Sequence, residues 1–118
     1  SENAIDEVLK RPEMDSVLAN ALASKELRLV DEVMTAIAKD DKVAYGKKEV
    51  EEAVYAAAVE KLLVTDVKVY NNPETEALMR KVEDSGGKVF IINSENQAGQ
   101  KLDALGGMAA MLRYKTYQ

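Results

Sequence analysis

Two short apolar segments, at residues 61–65 and 88–92, constrain the fold of this chain more than any other feature. Each is rich in β-branched or other large apolar side chains and is too short for a buried helix, so both are predicted to be strands. Between them, Asn72 is a good helix cap, Pro73 suits the first helical position, and the Gly-Gly pair at 86–87 suits a helix exit. The sequence therefore predicts a strand–helix–strand unit.

Helical periodicity precedes this unit. Apolar residues recur at steps of three and four over residues 24–39 and 47–58, which predicts two amphipathic helices. Residues 43–46 are interpreted as the connection between them. The alternating stretch at 67–70 predicts a short extended piece.

A further helix and strand follow the unit. Ser94 and Gln97 have the spacing of a capping box, and Ala98, Leu102 and Leu105 share one face of the helix that it opens. The last strand is predicted at residues 108–114. This order of elements predicts an α/β fold with a mixed, mainly parallel sheet covered by helices on both faces.

The chain of 118 residues is expected to form one domain at residues 24–118. Residues 1–23 are interpreted as a linker with short helical pieces, interrupted at Pro12. Its apolar side chains, among them Val17, Leu18 and Leu22, are expected to pack against the main body or against a neighbouring domain.

Composition excludes several classes of function. Sixteen Lys and Arg against 21 Asp and Glu give a net charge of −5, which disfavours general binding to nucleic acid. The chain has no Cys and no His, so thiolate metal sites and the commonest acid–base residue are missing. No apolar run is long enough to span a bilayer. A cytoplasmic protein without catalysis, metal or cofactor is expected.

Some local patterns resemble parts of active sites. Glu49, Glu51 and Glu52 could form a metal or acid–base cluster, but acidic residues also favour the first turns of a helix. Ser85 and Ser94 have no histidine to activate them, so turn and capping roles suffice.

Three stretches of the chain resemble Pelota proteins and the archaeal and eukaryotic class I release factors. They are Ala-Tyr-Gly at 44–46 with the strand segment at 58–66, Gly-Gly-Lys-Val-Phe-Ile at 86–91 with the helix after it, and Leu-Gly-Gly-Met-Ala-Ala-Met-Leu-Arg-Tyr at 105–114. The resemblance extends over about residues 5–114 and keeps order and spacing. Residues 6–9 and the linker after them resemble the Pelota join between central and terminal domains, which implies that residues 1–23 come from a preceding central domain. The short path from Asp66 to Gly86 is similar to Pelota, because release factors usually carry an inserted segment there.

The resemblance implies an L7Ae-like fold and a role in the rescue of stalled ribosomes, no-go mRNA surveillance and subunit recycling. The implied partners are a translational GTPase related to elongation factor 1 alpha, an ABC-type ribosome recycling ATPase, and the ribosome through the full-length protein. The isolated domain is expected to be a monomer. Gly107, Arg113 and Tyr114 are the candidate interface residues, since Arg and Tyr are frequent interface anchors, although the same segment is equally compatible with a buried strand.

Three alternatives remain open at this stage. The first is the terminal domain of a peptide chain release factor, which would bind a different GTPase. The second is an L7Ae-like protein that binds kink-turn RNA, for which the sequence lacks a clear basic cluster. The third is an unrelated small enzyme, for which no nucleophile–base pair is evident.

Overall fold

The computed structural model describes residues 2–115, with side chains from residue 15 onward. Five helices and four strands follow one another along this part of the chain: α1 (Glu2–Ala38), β1 (Val43–Tyr45), α2 (Lys47–Tyr55), β2 (Val59–Thr65), α3 (Asp66–Val69), α4 (Pro73–Asp84), β3 (Lys88–Ile92), α5 (Gln97–Ala104) and β4 (Met108–Leu112).

The four strands form one mixed sheet in the order β1-β4-β2-β3. Strand β4 is antiparallel to both β1 and β2, whereas β2 and β3 are parallel. The predicted α/β class and mixed sheet are therefore confirmed, but the prediction of a mainly parallel sheet is wrong, since two of the three pairings are antiparallel. A strand–helix–strand order does not fix the direction of the last strand, because β4 pairs with β2 and not with the strand before it.

Neighbouring residues of β2 belong to two different core clusters, because successive strand side chains point to opposite faces. Leu62 and Val64 pack with residues of α2 and α4, and Leu63 packs with residues of α1 and α5. The β2–β4 register shifts between Val59 and Lys61. This bulge places Val59 in the same cluster as Leu62 and Val64.

Two short elements differ from the sequence predictions. Residues 43–45 form β1 rather than a connection, because they pair with residues 109–111 of β4. Residues 66–69 form α3 rather than an extended piece. The Asp66 carboxylate accepts a hydrogen bond from the backbone N–H of Val67 at 2.9 Å, which favours a helical turn over the β tendency of the two valines.

The two predicted helix caps have opposite outcomes. Asn72 caps α4 as predicted, with its Oδ1 accepting from the backbone N–H of Thr75 at 3.3 Å. The capping box at Ser94 is wrong, because α5 begins after Asn96 and that residue makes no side-chain capping bond. The backbone N–H of Ser94 instead donates to Asp66 Oδ1 at 3.1 Å.

Helix α1 is continuous over 37 residues and includes Pro12, so the backbone is not interrupted where the sequence predicted a break. One proline removes a single backbone donor, and residues with high helical propensity flank it on both sides. The side chains of Val17, Leu18 and Leu22 are 63%, 56% and 58% exposed; those before residue 15 lie outside the described side chains. The assignment of residues 1–23 to a linker stays a prediction.

Thr65 supplies a direct test of this packing. Its side chain is fully buried at the end of β2, and within the described residues its Oγ1 has no hydrogen-bond partner. Thr65→Val removes that hydroxyl at nearly constant volume, so we expect the free energy of unfolding to rise by about 1 kcal/mol. Denaturant unfolding measures it. The neighbouring Val64→Thr, which introduces a buried hydroxyl, should lower the free energy of unfolding. A Thr65→Val variant less stable than the original chain would contradict the assignment of Oγ1 as a buried hydroxyl without a partner.

Candidate protein-binding surface

Arg113 follows β4 and joins it to the ends of two other elements. Its backbone N–H donates to Ala58 O at 2.8 Å, and its Nη2 donates to Ser85 O at 2.6 Å. Ser85 ends α4, so the guanidinium lies at a helix C-terminus, where carbonyl groups lack intrahelical donors and positive charge is favourable. Arg113 therefore fixes the end of β4 against α4.

Tyr114 makes an equivalent contact with α2. Its hydroxyl donates to Ala56 O at 2.9 Å, and Ala56 is the residue at which α2 ends. The ring stays 49% exposed. One polar atom therefore anchors the side chain while about half of its surface faces solvent, which is the usual state of an interface tyrosine.

Tyr55, which the sequence reasoning missed, lies beside this contact. It precedes Ala56, is 69% exposed, and has the Lys81 ammonium 5.3 Å from its ring centroid. We call Tyr55, Lys81, Ser85, Arg113 and Tyr114 the aromatic end surface. A helical wheel could have identified Tyr55, because Val50, Ala53 and Val54 occupy the inner face of α2 and leave the tyrosine outside.

Two shallow grooves meet at this surface and share Tyr55 and Lys81. One, of about 400 Å³, runs between α2 and α4 from Lys47 and Glu74. The other, of about 310 Å³, includes Ala57, Asp84 and Ser85. The surface thus combines concave relief, exposed aromatic rings and cations, the combination that interfaces with proteins favour.

Gly107 lies at the opposite end of β4. Its carbonyl accepts from the Thr65 N–H at 3.1 Å, whereas Arg113 lies beyond the other end of the five-residue strand, about 20 Å away along an extended chain. The side chain of Lys68 covers Gly107. The structure therefore places Arg113 and Tyr114 together and separates Gly107 from them.

The carboxyl ends of the parallel strands β2 and β3 are joined by a polar contact. Asp66 follows β2 and accepts from the backbone N–H of Ser94, which follows β3. Hydrogen bonds from the Ser94 side chain, then from the Ser94 and Val67 backbone, lower the pKa of Asp66 against an opposing effect of burial. This contact could have been predicted from the sequence, because Asp66 and Ser94 each follow a predicted strand and the carboxyl ends of parallel strands meet at one edge of the sheet.

The other residues that the sequence offered for metal binding or catalysis lie in structural positions. Among residues 15–115, no group of three or more His, Cys, Asp or Glu side chains could hold a metal ion. Glu49 lies in the first turn of α2, and the Ser85 hydroxyl donates to Val82 O at 3.0 Å. No described helix is both long and apolar enough to cross a bilayer.

Comparison with known proteins gives the family. The sequence profile of eRF1 domain 3 matches residues 23–116. The Pelota homolog of Pyrococcus horikoshii is 47% identical over 113 residues, which are 94% of this chain and 32% of that protein. The chain thus spans about a third of the length of the curated relatives that it matches.

Solved structures agree with the sequence relatives. Archaeoglobus fulgidus Pelota superimposes with a TM-score of 0.85 at 36% identity, covering 100% of this chain and 38% of that one. A model of ribosome-bound archaeal Pelota and ABCE1 gives 0.81 at 43% identity, covering 99% and 34%. Saccharomyces cerevisiae Dom34, a translation termination-like factor involved in RNA quality control and interacting with Hbs1, gives 0.77 at 37% identity, covering 97% and 33%.

These matches define a translation-factor domain of the eRF1 domain 3 class. The chain belongs to the Pelota family and corresponds to its carboxy-terminal domain, which confirms the resemblance found in the sequence.

Gly107 allows a test of its contact with Lys68. A Cβ at Gly107 would lie 2.7 Å from Lys68 Cε and would require an L side chain at φ +82°. We expect Gly107→Ala to destabilise the fold by about 1–3 kcal/mol in denaturant unfolding. Gly46→Ala is the matched control, since Gly46 has φ +86° and no atom within 4 Å of that Cβ. The excess cost at Gly107 should disappear in a Lys68→Ala background; an excess that persisted would refute the steric account.

Asp66 gives a prediction about pH. We expect its carboxyl to titrate below its ordinary pKa of 3.8, and Ser94→Ala to raise the midpoint by removing the largest cause of the shift. Because the pKa is lower in the folded state than in the unfolded state, the ionised carboxylate stabilises the fold at neutral pH. This contribution is lost as pH falls through the folded-state pKa. Carbon-detected NMR titration measures the midpoint, with Ser85→Ala as the control that should leave it unchanged; no response to Ser94→Ala would be contrary to the assignment.

Proposed function

We propose that this chain is the docking domain of a Pelota-type ribosome rescue factor, binding a translational GTPase related to elongation factor 1 alpha and an ABC-type recycling ATPase. The full-length protein would act on stalled ribosomes in no-go mRNA surveillance and subunit recycling. The carrying observation is the match over 99% of the chain to archaeal Pelota in a model with the ribosome and ABCE1. The interaction of Dom34 with Hbs1 supports a second protein partner.

We assign the GTPase contact to the aromatic end surface. Arg113 and Tyr114 each use one polar group on a helix end, at Ser85 and Ala56, and so are held in fixed positions. Rigid aromatic and Arg side chains lose little conformational entropy when a partner binds. The exposed rings of Tyr55 and Tyr114 extend the surface beyond the end of β4. Gly107 contributes to this site only indirectly, by allowing β4 to begin beside β2.

The fold type, oligomeric state and cellular location of the domain are part of the same proposal. The two core clusters, one with α2 and α4 and the other with α1 and α5, support an L7Ae-like arrangement with helices over both faces of the sheet. The proposed domain is a monomer without enzymatic activity, working in the cytoplasm as a protein-binding module after a preceding central domain.

The test is calorimetric titration of the chain with the translational GTPase from the same source, with and without GTP, and with a kink-turn RNA in parallel. We expect binding to the GTPase and none to the RNA. The pair Arg113→Ala and Tyr114→Ala, and separately Tyr55→Ala, should weaken binding at least about tenfold. Tyr70→Ala is the matched control, because Tyr70 is 79% exposed at the end of α3.

Circular dichroism melting would verify that each variant is folded before its affinity is compared. A folded Arg113/Tyr114 variant with full GTPase affinity would remove the surface assignment but leave the docking role. Binding to the RNA alone would replace the docking role with RNA recognition.

A further inference from the structure

Strand β3 is an open edge of the sheet. It is the last strand in the order β1-β4-β2-β3 and pairs with β2 on one side alone. Alternate residues of a strand direct their N–H and C=O groups away from a single partner. Within residues 2–115, no backbone hydrogen bond reaches the outer side of Lys88–Ile92. This edge therefore offers unused donors and acceptors in the geometry of a β-ladder.

The side chains of β3 give the two sides of the edge different characters. Val89 packs against the cluster that contains α2 and α4, and its neighbour Phe90 packs against the cluster with α1 and α5. Ile91 falls on the side of Val89 by strand alternation and is 48% exposed. The side of Val89 and Ile91 is thus apolar.

The side of Phe90 carries three cations, and one carboxylate, that of Glu26, lies at the end of β3, where it accepts from the backbone N–H of Asn93 at 3.1 Å. The Lys25 ammonium of α1 lies 5.5 Å from the Phe90 ring centroid, and Lys88 shares the Phe90 side by alternation. Arg28 follows Lys25 by one helical turn. Lys61, which pairs with Lys88 across the ladder, has its own partner in Glu32 at 3.3 Å. Among the described residues, Lys25, Arg28 and Lys88 have no acidic partner.

We propose that the β3 edge is a strand-addition site for an extended segment of a partner protein in which acidic and apolar residues alternate. The backbone of such a segment would complete the ladder along β3. Its acidic side chains would lie beside Lys25 and Lys88, and its apolar side chains beside Val89 and Ile91. Main-chain bonds supply affinity in this mode, and alternate side chains supply selectivity.

Lysines at a sheet edge ordinarily discourage pairing. Here they discourage apolar and basic strands but attract an acidic one, so the same charges select the occupant. A second copy of β3 fits poorly, since antiparallel self-pairing would bring two sets of Lys25, Arg28 and Lys88 to one edge. The site goes beyond the docking role proposed above and does not use the aromatic end surface.

The probe is a capped, fluorescein-labelled peptide of eight residues that alternates valine and glutamate, titrated with the intact chain by fluorescence anisotropy. Binding should slow hydrogen exchange at the amides of Val89–Ile91 and not at β1, the other edge of the sheet. The double variant Lys25→Glu with Lys88→Glu should weaken binding about tenfold. The matched control is Lys39→Glu with Lys48→Glu, two exposed lysines that likewise have no ion pair in the described chain.

The controls separate strand addition from simple charge attraction. A peptide N-methylated at every residue keeps the charges but cannot donate to a ladder, so it should not bind. Equal binding of that peptide, or equal loss in the control double variant, would overturn the proposal. The proposal would also be overturned if oligouridylate bound at this edge and the valine–glutamate peptide did not, since that result would indicate a nucleic-acid site. Concentration-dependent dimers lost in Ile91→Lys would assign the edge to a second copy instead.

Discussion

The pairing of β4 with both β1 and β2 is the interaction on which the rest of this domain depends. The last strand of the chain lies inside the sheet, and its residues Ala109 and Ala110 are completely buried. Their small side chains face the two different core clusters, so β4 connects both. Without β4, β1 would have no partner and β2 would lose its antiparallel neighbour. The fold therefore closes only when the final described segment is in place.

The central position of β4 also fixes where its two ends meet the helices. Its first end meets the end of β2 through Gly107 and Thr65, beside Lys68 of α3. Its second end passes Ala58 and reaches the C-termini of α2 and α4 through Tyr114 and Arg113. Buried backbone pairing holds both junctions, so surfaces built there have little freedom to rearrange.

Whether an element could be predicted from the sequence depends on how far apart in the chain the residues that determine it lie. Strands β2 and β3 and helix α4 carry local signals, such as Asn72 at the cap, and these were predicted nearly to their ends. Strand β1 exists because three residues pair with β4, which is a contact across more than 60 positions of the chain. The turn at α3 depends on the Asp66 carboxylate, whose second bond reaches Ser94. Such long-range partners are invisible to periodicity.

The candidate site was predictable in part for the same reason. The Arg-Tyr pair after β4 suggested an interface, but its anchoring on Ser85 and Ala56 depends on where α2 and α4 end in space. Gly107 was grouped with that pair because all three belong to the segment at 105–114 that resembles the family. The extended strand between them puts them at opposite ends of the sheet. Proximity along a strand is thus a poor guide to a shared surface.

Local charge pairing explains how a chain of net charge −5 keeps a cationic edge. Lys47, Lys61, Lys101 and Lys115 each lie within 4.0 Å of a carboxylate, so their charges are locally neutralised. Exposed pairs of this kind stabilise the fold little. Their larger effect is on the pattern of the surface, because they neutralise particular lysines and leave Lys25, Arg28 and Lys88 uncompensated among the described residues. The charge that a partner would meet at this edge therefore depends on which cations are paired with acids, and only weakly on the net charge of the chain.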